Sequence, residues 1–506
     1  MSEWIQRADE LVWGPGLLGL LLGTGVYLMI SLKGLPVRRL KFALRCALGL
    51  EKEKGDGGGR RGAVSSFSSL TTELAATIGT GNIIGVATAM VLGGPGALFW
   101  MVAASVIGLA TKLVESTLAV KYRGKNKKGQ AAGGPMYVME NAFPIRRAGH
   151  VLAVSFAIFA VFASFGMGNM TQSNSIADAV AVTFSVSKAR SGLIIAVLTI
   201  LVVLGGIGVI GRVTQVLVPL MGIFYMAGTI LVILAHWRNL PGALAGIMQA
   251  AVCPAAVSGG LFGQVTVSAF EAVRWGVSRG IFSNEAGLGA AGISAAAADT
   301  EDYIRQGYIS MTGVFLDTVV ICTATGLALA VSGVLGSVDA NGQPLTGAAL
   351  TLAAFHTVFG EFGERFMAVC IVLFAFATII GWAYQGERAF EFLMGGQTRY
   401  NVVYRFLYGL VAFIGCICPL QAVWNFSDIC NGLMAVPNLV CLLVLSKPVC
   451  REISDYRPER GENRGFRAMF SLCIHHPLFA ASSMSSLIKP SAQKYAGASF
   501  FRIISS

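Results

Sequence analysis

Gly79-Thr-Gly-Asn-Ile-Ile-Gly85 interrupts one long apolar stretch, and Ser283-Asn-Glu-Ala-Gly-Leu-Gly289 interrupts another in the second half of the chain. Glycine opens dihedrals closed to other residues. The polar residues beside it offer partners to the amides and carbonyls that a broken helix leaves free. The setting gives these breaks their meaning. The chain has 506 residues, 55% hydrophobic and 13% charged, with mean hydropathy +0.67, whereas a soluble domain carries roughly a quarter charged residues. The composition predicts a polytopic membrane protein.

In a bilayer every backbone N–H and C=O needs an internal partner, so spanning segments stay helical except where they line a cavity. At about 20 apolar residues per span, the sequence predicts spans near 11–32, 67–92, 95–120, 148–178, 191–210, 213–235, 264–298 (broken), 306–334, 363–393, 402–422 and 426–446. With the first set aside, the remaining helices divide into two groups of five, each opening with a broken helix. An odd number of helices gives the two groups opposite topology, hence an inverted repeat. The expected fold is an all-α polytopic membrane protein of about 11 transmembrane helices, a 5+5 inverted-repeat transporter fold with two discontinuous helices plus one extra N-terminal helix. The predicted divisions are 1–62 (extra helix and basic cytoplasmic loop), 63–236 (first repeat), 237–263 (external connection), 264–447 (second repeat) and 448–506 (a cytoplasmic tail without assigned structure). Residues 240–260 read as short external helices, and 344–359 as an amphipathic external helix able to act as a lid.

The net charge is +12, but its placement argues against a nucleic-acid partner. Lys33 to Arg61 holds nine Lys or Arg against three acids, and Lys121 to Lys128 adds a second cluster. Both abut apolar spans, as the positive-inside rule describes, which puts the N-terminus outside and the C-terminus in the cytoplasm. Leu11 to Leu32 is too long for a signal-peptide core and reads as a retained helix. Ten cysteines are scattered without a CxxC pair, and those in apolar runs read as buried hydrophobes. No HExxH, paired intramembrane Asp or Ser–His arrangement points to an enzyme. No resident cofactor is expected, and the sequence carries no signal for oligomeric state.

At the first break, freed amides at the start of a half-helix suit a carboxylate, and the preceding carbonyls suit Na⁺. Close helix packing through Gly81 and Gly85 is the alternative. At the second break Asn284 and Glu285 sit in an apolar setting, where a carboxylate is functional by default. Glu285 suits a substrate ammonium, a cation or freed amides; a cytoplasmic loop near Arg274 and Arg279 is the alternative. Gln172 offers a donor and an acceptor mid-helix, either to a solute or to a neighbouring helix. Thr378 and Trp382, four apart, share one helix face. They suit a cation ligand and a pocket wall, or an incidental Thr bonding its own backbone.

The run Leu74 to Arg123, Gly133-Gly-Pro-Met-Tyr137, Gly168-Asn-Met-Thr-Gln172 and Phe282-Ser-Asn-Glu-Ala-Gly-Leu-Gly289 resemble the alanine or glycine:cation symporter family. So do Arg305-Gln-Gly-Tyr-Ile-Ser-Met-Thr-Gly313, Ile379-Ile-Gly-Trp382 and Trp424-Asn-Phe-Ser-Asp-Ile-Cys-Asn-Gly-Leu-Met434. The resemblance is collinear over residues 11–450. It implies sodium-coupled uptake of alanine or glycine, with Na⁺ as coupling ion, a small neutral amino acid as solute and the plasma (cell inner) membrane as location. Mapped by motif, it implies substrate contacts at Thr77, Gly79, Thr80, Gly81 and Asn82 of the first break, at Gln172, at Phe282, Ser283, Asn284 and Glu285 of the second, and at Thr378 and Trp382. By superfamily analogy, Na⁺ would lie between carbonyls near Ala76 and Gly79 and the Thr378 hydroxyl. Against the family pattern, Glu73 replaces a small residue, which implies a place at the inner vestibule and an effect on cation choice. Pro and His, common after the second break, are absent around Gly292-Ile-Ser-Ala-Ala. A glutamine carrier, H⁺ coupling, and a non-transporting sensor on the same fold are the competing readings.

Overall fold

The computed structural model describes residues 7–8, 11–51, 63–252, 257–258, 264–265, 268–338 and 342–457. A proline at the first turn starts α1 (Pro15–Ser31), where its missing N–H leaves nothing unpaired. A single turn at Leu35–Arg38 and α2 (Leu40–Ala47) follow. Ser65 then accepts the Ser68 amide and caps α3 (Ser66–Thr77). This helix ends where Ile78 leaves helical dihedrals (φ −77°, ψ 89°); a 3₁₀ turn covers Thr80–Asn82 before α4 (Ile84–Leu92). Next come α5 (Gly96–Lys121), a short antiparallel pair (Gly124–Lys125 with Ala131–Ala132), and α6 (Pro135–Ala142). α7 (Arg146–Phe165) runs through a π-turn at Gly166–Met170 into α8 (Thr171–Phe184).

α9 (Lys188–Leu204), α10 (Gly206–Ala235) and α11 (Leu240–Val252) close the first half. The second half opens with α12 (Ala269–Asn284), capped by Ser268 on the Glu271 amide. α12 breaks at Glu285–Gly289 before the short α13 (Ala290–Ala295). α14 (Tyr303–Val314) continues through a π segment at Phe315–Cys322 into α15 (Thr323–Ser332). α16 (Gly347–Phe359), α17 (Glu361–Leu393), α18 (Asn401–Ile417) and α19 (Leu420–Asp455) complete the chain.

Among the described residues, seven helical runs are long and apolar enough to cross a membrane. Helices occupy the remaining expected stretches too, but α1, α3, α4, α9 and α12 are each shorter or interrupted. Three expectations change. The helix over the last predicted span does not stop near residue 446: α19 carries Pro448 within it and runs to Asp455, so the first residues of the expected tail are helical. Glu452 explains why, since it accepts Lys121 Nζ at 2.5 Å and the Tyr303 hydroxyl at 3.1 Å, anchoring the last turns of α19. Residues 240–252 form one helix, and Val257–Ser258 pairs antiparallel with Gln264–Val265 instead of continuing as helix. Residues 52–62 of the basic loop and 458–506 of the tail lie outside the described residues.

α5 is the central post: it packs on α12, α14, α1, α13 and α11. α17 is its counterpart, packing on α3, α7, α8, α10 and α16. The two interrupted helices are therefore held between two long ones. At the end carrying Lys121 the structure is shut. The Ala63 amide donates to the Ala297 carbonyl (2.9 Å) and the Asp299 amide to the Val64 carbonyl (2.7 Å). The Arg123 guanidinium donates to the carbonyls of Ala296 (3.0 Å), Ala298 (2.5 Å) and Thr300 (2.5 Å).

Nearby, Glu387 receives Arg388 at 2.8 Å and Arg405 at 2.5 Å, while Glu391 receives Arg388, Asn401 and Asn126. Removing one partner of a buried ion pair costs about 3–5 kcal/mol because the other charge stays buried. Glu387→Ala is therefore expected to lower the unfolding temperature of the detergent-purified protein far more than Glu387→Gln, which keeps an acceptor for both guanidinium groups.

Candidate functional site

The first break is built around Gly79. Its amide donates to Asn82 Oδ1 (2.9 Å), which closes the short turn on itself. The Thr80 amide (3.2 Å) and hydroxyl (2.9 Å) both donate to Gln172 Oε1 on α8. Gln172 is placed by the π-turn before it, and its Nε2 donates to the Met167 carbonyl (3.1 Å). On the other side stands α17. The Thr378 hydroxyl lies 3.4 Å from the Ile78 carbonyl and 3.2 Å from that of Phe374. Gly381 lies directly against Ala76, where an added Cβ would come 2.6 Å from the Ala76 nitrogen. A methyl group on Gly79 would strike the Thr378 hydroxyl. This contact brings Ala76, Gly79 and Thr378 into one small region rich in oxygen atoms.

The second break meets the first across Gly81, where an added Cβ would lie 3.3 Å from the Ser283 Cα. Glu285 takes a left-handed conformation (φ 57°, ψ 22°), uncommon for a residue with a Cβ, and Gly287 (φ 91°) and Gly289 (φ 94°) complete the turn. Glu285 keeps backbone partners, its amide donating to the Ile281 carbonyl (2.8 Å) and its carbonyl accepting the Leu288 amide (3.2 Å), while side chains serve the residues on either side. The Asn284 carbonyl receives Lys112 Nζ (2.9 Å), and Asn284 Oδ1 receives the Ala286 amide (2.9 Å). Trp382 Nε1 donates to Glu285 Oε1 at 2.7 Å, leaving Oε2 buried without a partner.

Asp317, in the π segment after α14, ties the two breaks together. Its Oδ1 receives Asn82 Nδ2 from the first break (2.7 Å), and its Oδ2 receives the Ser283 hydroxyl from the second (2.8 Å). The Thr318 hydroxyl also donates to Oδ2 (2.7 Å) and in turn accepts Asn284 Nδ2 (3.0 Å). Asp317 has no solvent exposure, so these donors replace its water.

Above the breaks, at the end opposite Arg123, opens a vestibule of about 890 Å³. Its lining includes Ile84, Ser175, Leu352, Arg279 and Trp424. Ile84 begins α4, Ser175 lies one turn beyond Gln172, and Arg279 lies one turn before Phe282, so the breaks sit under its floor. Phe282 stacks on Trp424 (5.3 Å between centroids), and Arg279 packs over both rings and pairs with Asp428 at 2.9 Å. α16, expected as a lid, contributes Thr346 to Ala349 and Leu352 to the vestibule wall.

The structure brings together Gly79, Thr80, Gly81, Asn82, Gln172, Ser283 and Thr378 around the first break, and Asn284, Glu285 and Trp382 around the second. Two expected residues stand apart: the Thr77 hydroxyl turns back to the Glu73 and Leu74 carbonyls of its own helix, and the Phe282 ring faces Trp424. Every residue of Phe282–Gly289 is buried, so the segment is not an exposed loop. Glu73 does not face a vestibule; it is fully buried beside Lys112. Sequence reasoning missed Asp317, Lys112 and Glu115, although each is a charge inside an apolar run, which is the very signal that singles out Glu285.

Interrupted helices meeting beneath a vestibule, in a chain of apolar spans, define a membrane transporter by class. The chain belongs to the sodium:alanine symporter family, whose profile matches residues 1–469. The sodium/alanine symporter AgcS of Methanococcus maripaludis is 44% identical over 459 residues, covering 90% of this chain and 97% of that protein. The probable sodium/glutamine symporter GlnT of Bacillus subtilis is 36% identical over 457 residues, covering 90% of each. The crystal structure of MhsT in complex with L-phenylalanine shares the fold, with TM-score 0.50 at 14% identity over 79% of this chain and 100% of that one.

Asp317→Leu would strand the donors of Asn82, Ser283 and Thr318, at about 1–3 kcal/mol for each buried group left unpaired. It is expected to lower the unfolding temperature of the purified protein well below that of Asp317→Asn, which keeps the shape and one acceptor oxygen.

Proposed function

We propose that the protein is a sodium-coupled symporter that imports a small neutral amino acid, alanine or glycine, by alternating access. The observation that carries this reading is the meeting of two buried, side-chain-supported helix breaks under an open vestibule, in a member of the sodium:alanine symporter family. The reading places eleven spans in the plasma (cell inner) membrane as two inverted groups of five plus α1. The N-terminus lies outside and the C-terminus in the cytoplasm, so the vestibule faces outward and the Arg123 end inward.

The chemistry follows from the half-helices. The start of α4 presents amides and the positive end of a helix dipole, which suits the solute's carboxylate. Thr80, Gly81 and Asn82 supply that surface, with Gly79 at its edge. The carbonyls ending α12, at Phe282 and Ser283, suit the ammonium, with Gln172 Oε1 as a further acceptor once Thr80 releases it. Glu285, held by Trp382, sets the negative potential behind them. Gly81 against Ser283 leaves little side-chain room, which favours alanine or glycine over larger solutes. Na⁺, carried as cargo, takes hard oxygen ligands: the carbonyls of Ala76 and Gly79, with that of Ile78 beside them, and the Thr378 hydroxyl. Because this region joins α3 to α17, Na⁺ there steadies the first break in the form that receives the carboxylate. By linkage, each ligand then raises the other's affinity by one common factor.

The relative named as a glutamine symporter gives a second reading, in which the pocket takes a longer polar side chain. Uptake of labelled alanine into proteoliposomes, with an inward Na⁺ gradient against a K⁺ control, tests the first reading. Accumulation above equilibrium only with Na⁺ is expected, and competition by glycine but not glutamine would separate the two. Thr378→Val keeps the shape and removes one Na⁺ ligand; it should raise the half-saturating Na⁺ concentration by about tenfold or more, where tenfold corresponds to about 1.4 kcal/mol. Gly79→Ala, whose methyl group collides with Thr378, should abolish Na⁺-dependent uptake while the protein still purifies as a folded species.

A further inference from the structure

Two turns inward of the place where Ala76, Gly79 and Thr378 meet, the same two helices gather a second set of oxygen atoms. Ser69 lies seven residues before Ala76 on α3, and Gln385 lies seven residues after Thr378 on α17. Seven residues make two helical turns, so each stays on the same helix face, about 10 Å nearer the Arg123 end. Gly381 packed on Ala76 shows that α3 and α17 touch between the two levels.

The lower set is built from four helices. The Ser69 hydroxyl donates to the Ser294 carbonyl on α13 (2.8 Å), and Gln385 Nε2 donates to the Ser294 hydroxyl (3.1 Å). From α14, Gln306 Nε2 reaches the Ser69 hydroxyl at 3.5 Å. All of these side chains are buried, and the two glutamines have no solvent exposure. Both amides turn their nitrogen to a hydroxyl, which leaves Gln306 Oε1 and Gln385 Oε1 without a hydrogen-bond partner. Buried amide oxygens are nearly always paired, because leaving one bare in dry surroundings is costly. Directly below lies the closed end. The Ser294 carbonyl also accepts the Ala297 amide (3.1 Å), and the Ala297 carbonyl accepts that of Ala63. The cluster therefore stands between the two breaks and the Arg123 clamp.

The chemistry of the bare atoms selects the ligand. Amides and hydroxyls do not titrate near neutral pH, so they hold no exchangeable proton. Their donors are already engaged, so a carboxylate finds no partner here, and the amino acid as a whole is a poor fit. What remains is neutral oxygen, which suits a small hard cation. We propose that Gln306, Gln385, Ser69 and Ser294 form an inner Na⁺ station, at which the ion leaving the Ala76–Thr378 region stops before it passes the clamp. The inference rests on the symport reading above. The Ser69 hydroxyl can offer a lone pair to Na⁺ while its hydrogen stays on the Ser294 carbonyl, so the ion enters without breaking the α3–α13 bond. Two neutral stations in line hold an ion more weakly than one deep site, which lets it leave. Na⁺ arriving from the Arg123 end meets this station first.

The test uses the full chain in proteoliposomes sorted by orientation with an affinity tag at the C-terminus, since the last turns of α19 lie beside Lys121 at the Arg123 end. Vesicles that shield the tag keep that end inside. Initial rates of alanine uptake then give two values: the external Na⁺ concentration for the half-maximal rate, and the internal Na⁺ concentration that halves the rate at saturating external Na⁺. Gln385→Leu is expected to raise the internal value by about tenfold while the external value moves by less than about twofold. Gln306→Leu, on a different helix, should give the same one-sided shift, so the loss of either variant in purification leaves the test standing. Both values come from concentration dependence, and a smaller active fraction does not move them. An internal value unchanged in a variant that transports would overturn the proposal and leave a pair of hydrated amides only. So would an equal rise in both values, which marks a general loosening of the helices. Native protein without Na⁺-driven uptake would overturn the symport reading instead.

Discussion

A helix that opens inside a bilayer must find partners for every amide and carbonyl it exposes, and the rest of this structure is arranged around meeting that demand twice. At the first break Gln172 and Asn82 take the amides of Thr80 and Gly79. At the second, Lys112 and Asn284 serve the carbonyl and amide on either side of Glu285. These partners come from α5, α8 and the breaks themselves, so α5 and α17 have to stand close on either side. Glycine makes that approach possible at Gly381 against Ala76 and at Gly81 against Ser283.

The same arrangement makes the site responsive. Backbone groups held by side chains, instead of by the next turn of helix, can change partners at small cost. In the proposed mechanism Thr80 gives up Gln172 to the solute, while the Gly79 carbonyl accepts the Asn82 amide (3.3 Å) within the break itself. Asp317 makes the two breaks one unit, because Asn82 and Ser283 bond to its two oxygens and cannot shift independently. A ligand that orders one break therefore biases the other. The vestibule at one end and the Arg123 clamp at the other give this unit a direction.

Much of the fold is legible in the sequence, because a cluster of glycine and polar residues inside an apolar run weakens a spanning helix and persists where the helix opens. The breaks at Gly79 and Glu285 lie where the sequence puts them, and α5 and α17 match their predicted spans closely. The pairings are not legible. Glu73 stands out in the sequence, but its partner Lys112 lies on another helix, and only packing shows that the two face each other in a closed space. Asp317 and Glu115 carry the same intramembrane-charge signal as Glu285, yet no spacing rule links Asp317 to Asn82 and Ser283. The end of α19 is hidden as well, because the apolar span read from the sequence ends at 446, whereas Glu452 fastens a later turn of the helix to Lys121. Helix periodicity and glycine are local signals; partner choice across helices is set by packing.

The central claim is that Na⁺ and the amino acid order the same pair of breaks. Calorimetric titration of the purified protein tests it most directly: alanine binding with saturating Na⁺ and with K⁺ in its place, then Na⁺ binding with and without alanine. The account predicts that Na⁺ tightens alanine and alanine tightens Na⁺ by equal factors, and that Thr378→Val shrinks both factors together. Alanine binding that is indifferent to Na⁺ would contradict it.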